Sequence, residues 1–369
     1  MVLHNQSDLT SAKRVVVKVG SSSISGENQH KIEKLVDALA AAHKTGQEVI
    51  LVTSGAIATG MPLLNLESKP DDLATSQALA SVGQGRLISR YQSSLERYDL
   101  IAGQVLLTAQ DLEGTETREN AKRAMERLVS LRVIPIVNEN DTVATAEIRF
   151  GDNDRLAALA ALLVQADLLV LISDVDALYD AHPSQAGAKA IHEVANFADI
   201  DSVEVGGAGS AGVGSGGMVT KIEAARIATS AGTPMLLTSL AQSADSLVGK
   251  EFGTIFHAQA SKANSRLLWL AHASSARGRL VLDAGAVTAI LEKGVSLLPA
   301  GVTAVEGEFS AGDTVELASK DGKVIARGLV AFDSTEIPQM LGRSTKELAA
   351  ALGAEYEREL VHRDDLVLL

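Results

Sequence analysis

The chain has 369 residues, 46% hydrophobic and 21% charged, a globular composition with room for roughly two domains. It has no cysteine, which excludes a disulfide framework, thiolate zinc ligands and a thiol nucleophile. Its 33 basic and 46 acidic residues sum to −13 and aromatics are only 3%, a poor balance for broad nucleic-acid binding or base stacking. The polar N-terminus has no charged segment leading into an apolar one, and the most apolar stretch, Leu156–Ile172, contains Gln165 and Asp167. The sequence therefore predicts a soluble, cytoplasmic protein without a membrane span.

In chain order, Arg14–Val19 (RVVVKV) reads as a buried strand that breaks at Gly20 and three serines. His30–Lys44 sets Ile32, Leu35, Val36, Leu39 and His43 on one helical face, and Gly46 ends it. Val49–Thr53 is a second strand, Ala74 to about Arg97 a helix, and Ala102–Leu107 a strand. Asn120–Leu131, Asp154–Gln165 and Lys221–Ala231 read as helices; Val133–Val137, Leu168–Ile172 and Pro234–Leu237 read as strands. This alternation predicts a three-layer α/β fold with a mainly parallel sheet, whose strand ends line up on one ligand-binding edge.

The pattern changes after about Ile255. Ala258–Arg277, around the single tryptophan Trp269, reads as a connector. From Gly278 to Val330 short strands and glycine-bearing turns predict a small β-barrel, with a helix at Thr345–Leu352 near the end. The expected division is an α/β domain over 1–257, a connector over 258–276 and a β-rich domain with its tail over 277–369.

Several strand ends carry residues suited to chemistry. Lys18 lies among valines and runs into a small-residue loop, where an ammonium can meet a phosphate; a lysine on an edge strand facing water is the alternative. Ser54-Gly55 follows the second strand, either as a ligand-binding turn or as an ordinary helix N-cap. Asn138–Thr142 and Phe150–Asp154 bring seven carboxylate or carboxamide side chains close in sequence. They could bind an amino group, orient lysines or hold a metal. Ser173-Asp174 ends another strand, where a nucleotide is expected. Gly206–Gly217 holds seven glycines in twelve residues, a loop composition that leads through Ser215–Thr220 to Lys221 and a helix. Taken together, these features point to phosphoryl transfer by positioning and charge neutralisation.

The runs VVVKVGSSS, LVTSGAIATG, PIVNENDTV, FGDNDRLAA, LLVLISDVDALY and SGGMVTK, in that order, resemble the glutamate 5-kinase branch of the amino acid kinase family. The tail is similar to the PUA domain that many of its members carry. The resemblance implies the amino acid kinase fold and a magnesium-dependent transfer of phosphate from ATP to the γ-carboxylate of L-glutamate, the first step of proline biosynthesis. It also implies proline as feedback inhibitor and a homo-oligomer, dimer or tetramer.

Carried over motif by motif, Lys18, Gly20 and Lys221 would lie beside the ATP phosphates, and Asp154 would hold the two lysines. Ser54, Asp141 and Asn153 would bind glutamate, with Asp152 beside its amine. Ser173 and Asp174 would contact the nucleotide. Ser215, Gly216, Gly217, Met218, Val219, Thr220 and Lys221 would form its glycine-rich loop. Many relatives have threonine at Ser173, whose hydroxyl is retained. The Asn/Asp-rich pair suits a free α-ammonium and argues against an N-acylated acid. A PUA-like tail raises RNA binding as a rival, which the −13 charge weakens. The acid needs no general base, because a carboxylate with a pKa of about 4.3 is already ionised.

Overall fold

The computed structural model describes residues 11–24, 30–68, 70–144, 153–185, 187–200, 217–243, 253–259 and 276–369. The chain divides into two compact units, Met1–Lys262 and Ala263–Leu369. In the first, β1 (Arg14–Val19), α1 (Ser21–Ile24), α2 (Lys31–Lys44), β2 (Glu48–Val52), α3 (Ala56–Gly60) and α4 (Leu73–Glu96) follow in order. Then come β3 (Ala102–Leu107), α5 (Ala109–Glu113), α6 (Thr115–Ser130), β4 (Ile134–Glu139), α7 (Asp154–Leu163) and β5 (Leu168–Ser173). Three two-residue strands, β6 (Leu178–Tyr179), β7 (Ala190–Ile191) and β8 (Glu193–Val194), precede α8 (Met218–Ser230), β9 (Met235–Ser239) and β10 (Thr254–Phe256).

The main sheet has the order β3-β4-β2-β1-β5-β9-β10-β8, and every pairing in it is parallel except β9 with β10. The strand β1 is central. The chain builds β2, β3 and β4 on one side of it and β5 onward on the other, so a crevice opens at its carboxyl end. The two-residue pleat sorts the side chains of β1. Val15, Val17 and Val19 pack with Ile32, Leu35 and Leu39 of α2 and with Tyr91 and Leu95 of α4. Lys18 points to the other face, toward α7. That helix is buried at every residue but Arg155, which its all-round apolar sequence DRLAALAALL requires.

Two glycines press α3 onto α4. A Cβ at Gly60 would stand 2.2 Å from Leu79 O, and one at Gly83 would stand 1.8 Å from Ala56 O, so only glycine permits this crossing.

In the second unit β11 (Gly278–Leu282), α9 (Ala284–Lys293), β12 (Val302–Gly307), β13 (Thr314–Ser319), β14 (Val324–Val330), α10 (Thr345–Leu352) and β15 (Val361–Leu368) form a five-stranded sheet of order β12-β11-β13-β14-β15 with two helices. Its own core joins Leu280, Leu282, Val315, Leu317, Phe332, Met340 and Leu348.

Most strands and long helices fall where the sequence places them, and the departures have local causes. β4 extends to Glu139, so Asn138 and Glu139 are strand residues, 1% and 5% exposed, instead of a polar loop. α8 starts at Met218, three residues before Lys221, and takes in Met218, Val219 and Thr220. α6 begins at Thr115, five residues before the periodic stretch. α9 lies where the sequence pattern predicts strand and turn. Its signals are brief: Asp283 caps the helix by accepting from Ala286 N at 2.7 Å, and Gly294 ends it at φ 58°. The connector around Trp269 and the glycine-rich stretch 206–216 lie outside the described residues.

Candidate functional site

The carboxyl end of β1 brings together three charged side chains that are far apart in sequence. Lys18 Nζ donates to Asp154 Oδ1 at 2.5 Å, and Lys221 Nζ donates to Asp154 Oδ2 at 3.2 Å. The Asp154 side chain is 1% exposed, that of Lys18 4% and that of Lys221 10%. Lys18 is therefore not a solvent-facing edge lysine. Asp154 is the first residue of α7, where the positive end of the helix dipole favours a carboxylate. Lys221 lies one turn into α8. The Thr220 hydroxyl of the same turn has two acceptors within reach of its one proton, Asp154 Oδ2 at 3.0 Å and Gly217 O at 2.8 Å.

Two buried ammonium groups share one buried carboxylate, so these three side chains together carry a net positive charge. Burying unbalanced charge is costly. An anion that completes the neutralisation, such as a phosphate chain, is attracted more strongly here than in bulk water. Glycines flank the cluster. Gly20 leaves room beside Lys18, whose Nζ would be 3.8 Å from a Cβ there, and Gly217 caps α8 with no side chain in the way.

A second group of polar side chains adjoins it. Asn153, the N-cap of α7, is held in the left-handed region at φ 64° and is 3% exposed. Its Nδ2 donates to Thr53 O at 2.7 Å and to Asn138 Oδ1 at 2.8 Å. Its Oδ1 is buried and has no partner among the described residues. A buried acceptor left open at a concave strand edge suits a bound cation or donor. Asn138 Nδ2 in turn donates to Gln84 Oε1 at 2.6 Å. Tyr91, fully buried, shares a 2.8 Å hydrogen bond with Thr53 Oγ1 and so braces this turn from below, and burial pushes its phenol well above the usual range.

The remaining expected residues spread around these two groups. Ser54 is half-buried and makes a long 3.5 Å bond to Val19 O. It does not cap α3, because the N-cap there is Gly55 at φ 99°. Asp141 is half-buried in the turn after β4. Ser173 is buried at the end of β5 and donates to Asp174 Oδ1 at 2.9 Å, with Asp174 itself exposed. Met218 and Val219 stand in the first turn of α8. Asp152, Ser215 and Gly216 lie outside the described residues. Gln84 is not singled out by the sequence, since it is one of many polar residues in a 24-residue helix; its only local signal is the pair of glycines, Gly83 and Gly85, that flank it. Among the described residues no three His, Cys, Asp or Glu side chains gather as a metal cluster, and no helix is long and apolar enough to cross a membrane.

Residues 13–239 match the amino acid kinase family, and residues 278–352 match the PUA domain. A glutamate 5-kinase from Streptomyces avermitilis is 56% identical over 363 residues, covering 97% of each chain. One from Salinispora arenicola is 56% identical over 365 residues, covering 98% of this chain and 99% of its own. Among solved structures, a carbamate kinase from Giardia lamblia bound to AMP-PNP superposes with a TM-score of 0.50 at 18% identity, covering 67% of this chain and 99% of its own; that likeness concerns the fold.

Proposed function

The chain belongs to the amino acid kinase family, and on that premise we propose that it transfers the γ-phosphoryl group of ATP to the γ-carboxylate of L-glutamate. A carboxylate oxygen forms the new bond to phosphorus, and the bond to the bridging oxygen breaks, leaving its electrons on ADP. No proton need be removed from the acid, so the work is electrostatic and geometric. The observation that carries this reading is the Lys18–Asp154–Lys221 bridge, buried beside the open acceptor of Asn153.

In this reading Asp154 keeps both lysines aimed. Lys18 and Lys221 offset the repulsion between a carboxylate and the triphosphate, and they gain most where charge spreads in the transition state. Gly20, Gly217 and the rest of Ser215–Lys221 cradle the phosphates, and Ser173 and Asp174 meet the nucleoside. ATP enters as its magnesium complex, so the ion arrives with the substrate. Asn153 Oδ1, Asp141 and Asp152 receive the α-ammonium, which favours a free amino acid over an N-acylated one, and Ser54 donates to the acid. The 56% identity to enzymes named glutamate 5-kinase supports the choice of glutamate. Placement in proline biosynthesis, feedback inhibition by proline, cytoplasmic location and homo-oligomeric assembly belong to the same proposal.

ATP-dependent hydroxamate formation over L-glutamate, N-acetyl-L-glutamate, L-aspartate and carbamate tests it. Turnover should be confined to L-glutamate and should fall as proline is added. Equal or better turnover of N-acetylglutamate would reject the ammonium-binding role of the Asn/Asp group.

A further inference from the structure

A line of three carboxamides leads away from Asp154, and its hydrogen bonds have only one possible direction. Asn153 cannot turn over, because its Nδ2 donates at 2.7 Å to the backbone carbonyl of Thr53, an atom that can only accept. Its second N–H meets Asn138 Oδ1 at 2.8 Å, which commits Asn138 to donate through Nδ2 to Gln84 Oε1 at 2.6 Å. Gln84 is committed in turn. Its oxygen faces the chain of amides, and its nitrogen, with two N–H donors, is turned away from it. The acceptor end of the line is thus Asn153 Oδ1 and the donor end is Gln84 Nε2.

The fold holds this donor end in place. Gly83, directly before Gln84, lies so close to Ala56 O that no side chain fits there, which fixes α4 against the turn after Ser54. Gln77, two turns earlier on the same face of α4, donates to Ala144 O at 3.3 Å in the turn after β4.

The donor end of the line suits one particular substrate group. Lys18 is level with Val52, and Val52 with Val137, so Asn138 lies two strands across from the lysine cluster. Two strand spacings are about 10 Å. A five-carbon diacid separates its carboxylates by roughly 5 Å, so with one carboxylate at the lysine cluster the other extends toward the far end of the amide line. We infer that Gln84 is a further substrate-binding residue, whose Nε2 donates to the α-carboxylate of the acid phosphorylated at its other end. The inference rests on the glutamate reading and adds a recognition element to it.

Gln84→Glu isolates the donor. The introduced carboxylate still accepts from Asn138, so a residue that only props the amide line tolerates it, whereas a carboxylate-binding donor does not. The expected result is a KM for L-glutamate raised about 10- to 100-fold, with KM for ATP and Tm little changed. L-Isoglutamine, whose α-carboxylate is an amide, should be less affected, so the kcat/KM preference for glutamate over isoglutamine should fall at least about tenfold. Calorimetric binding of glutamate to both proteins in the presence of AMP-PNP gives the same comparison without turnover. Wild-type protein that neither binds nor phosphorylates glutamate would sink the function and this inference together. Normal glutamate kinetics in Gln84→Glu, or equal losses for both acids, would overturn the inference alone.

Discussion

Each of the two units carries a carboxylate flanked by two cations, and the contrast between them is instructive. In the first unit Asp154 sits between Lys18 and Lys221 with its side chain 1% exposed. In the second, Glu316 accepts from Arg279 at 2.9 Å and from Arg327 at 3.4 Å, with its side chain 20% exposed and the arginines 36% and 23%. The second cluster follows from strand register alone. Glu306, Arg279, Glu316 and Arg327 are paired across β12, β11, β13 and β14, an alternating row that any sheet rewards modestly. Hydrogen bonds from Arg279 hold the Glu316 carboxyl below the usual carboxylate range. The buried cluster has no such local origin. It joins a strand and the starts of two helices, and it keeps a surplus positive charge where water cannot disperse it. Partial exposure makes one cluster a weak clasp; burial gives the other the surplus charge that the proposed function assigns to an anion.

Removing the buried carboxylate should have the largest effect. Asp154→Ala leaves two buried ammonium groups uncompensated, and a loss of about 3–5 kcal/mol in stability is expected together with near-complete loss of turnover. ATP should recover part of the lost Tm, because its phosphates replace the missing negative charge. A thermal melt with and without nucleotide checks this, and failure of ATP to raise Tm more in the variant than in the wild type would count against an anion site.

Lys221→Ala sharpens the contrast, since it removes the surplus charge and leaves a balanced pair. Its kcat should drop by about 10²–10³, while KM for glutamate changes little, as expected for a charge that matters most in the transition state. Steady-state kinetics decide it, and an unchanged kcat in folded protein breaks the assignment.

Glu316→Gln tests the other side. A Tm loss of at most about 4 °C is expected, shrinking further in high salt, with kcat unaltered. A large loss that salt does not reduce would mean that the two clusters are more alike than their burial indicates.

The smallest effect concerns pH. His43 is buried beside Arg132, its Nδ1 3.0 Å from Nη2, and burial first, then the guanidinium charge, lowers its pKa below the ordinary 6.5. In the fold it takes up its proton only at a lower pH than in the unfolded chain, where it does so near the ordinary value. Stability from this group is therefore present above about pH 6.5 and is lost as pH falls below it. Melts at about pH 7.5 and about pH 5.5 should show a smaller drop for His43→Gln than for the wild type; equal drops would show that other groups set the acid limb.

Much of the site's composition was legible in the sequence, but its wiring was not. Lys18 stood out as a cation in a valine run, and the NENDTV and FGDND runs as polar residues beside apolar elements. Nothing local indicated that Lys18 and Asp154, 136 residues apart, share a 2.5 Å bond, although the family resemblance implied that they work together. Gln84 escaped notice because a helix of 24 residues normally carries polar side chains on its outer face. The helix α9 escaped because a short, mostly apolar run after a strand fits either a strand or a helix.

By itself the sequence determined the alternation of strands and helices and the parallel sheet, because side-chain periods of 2 and 3.6 are local properties of the chain. It also determined the change to a β-rich tail and, through its ordered motifs, the family. Only the tertiary structure decided that Asn138 is a buried strand residue, that Asn153 presents an oxygen and Gln84 a nitrogen, and that one charge triad is dry and the other wet. Hydrogen-bond direction and burial are set by neighbours from other strands and helices, and those neighbours meet only when the sheet has formed and α7 is enclosed against it.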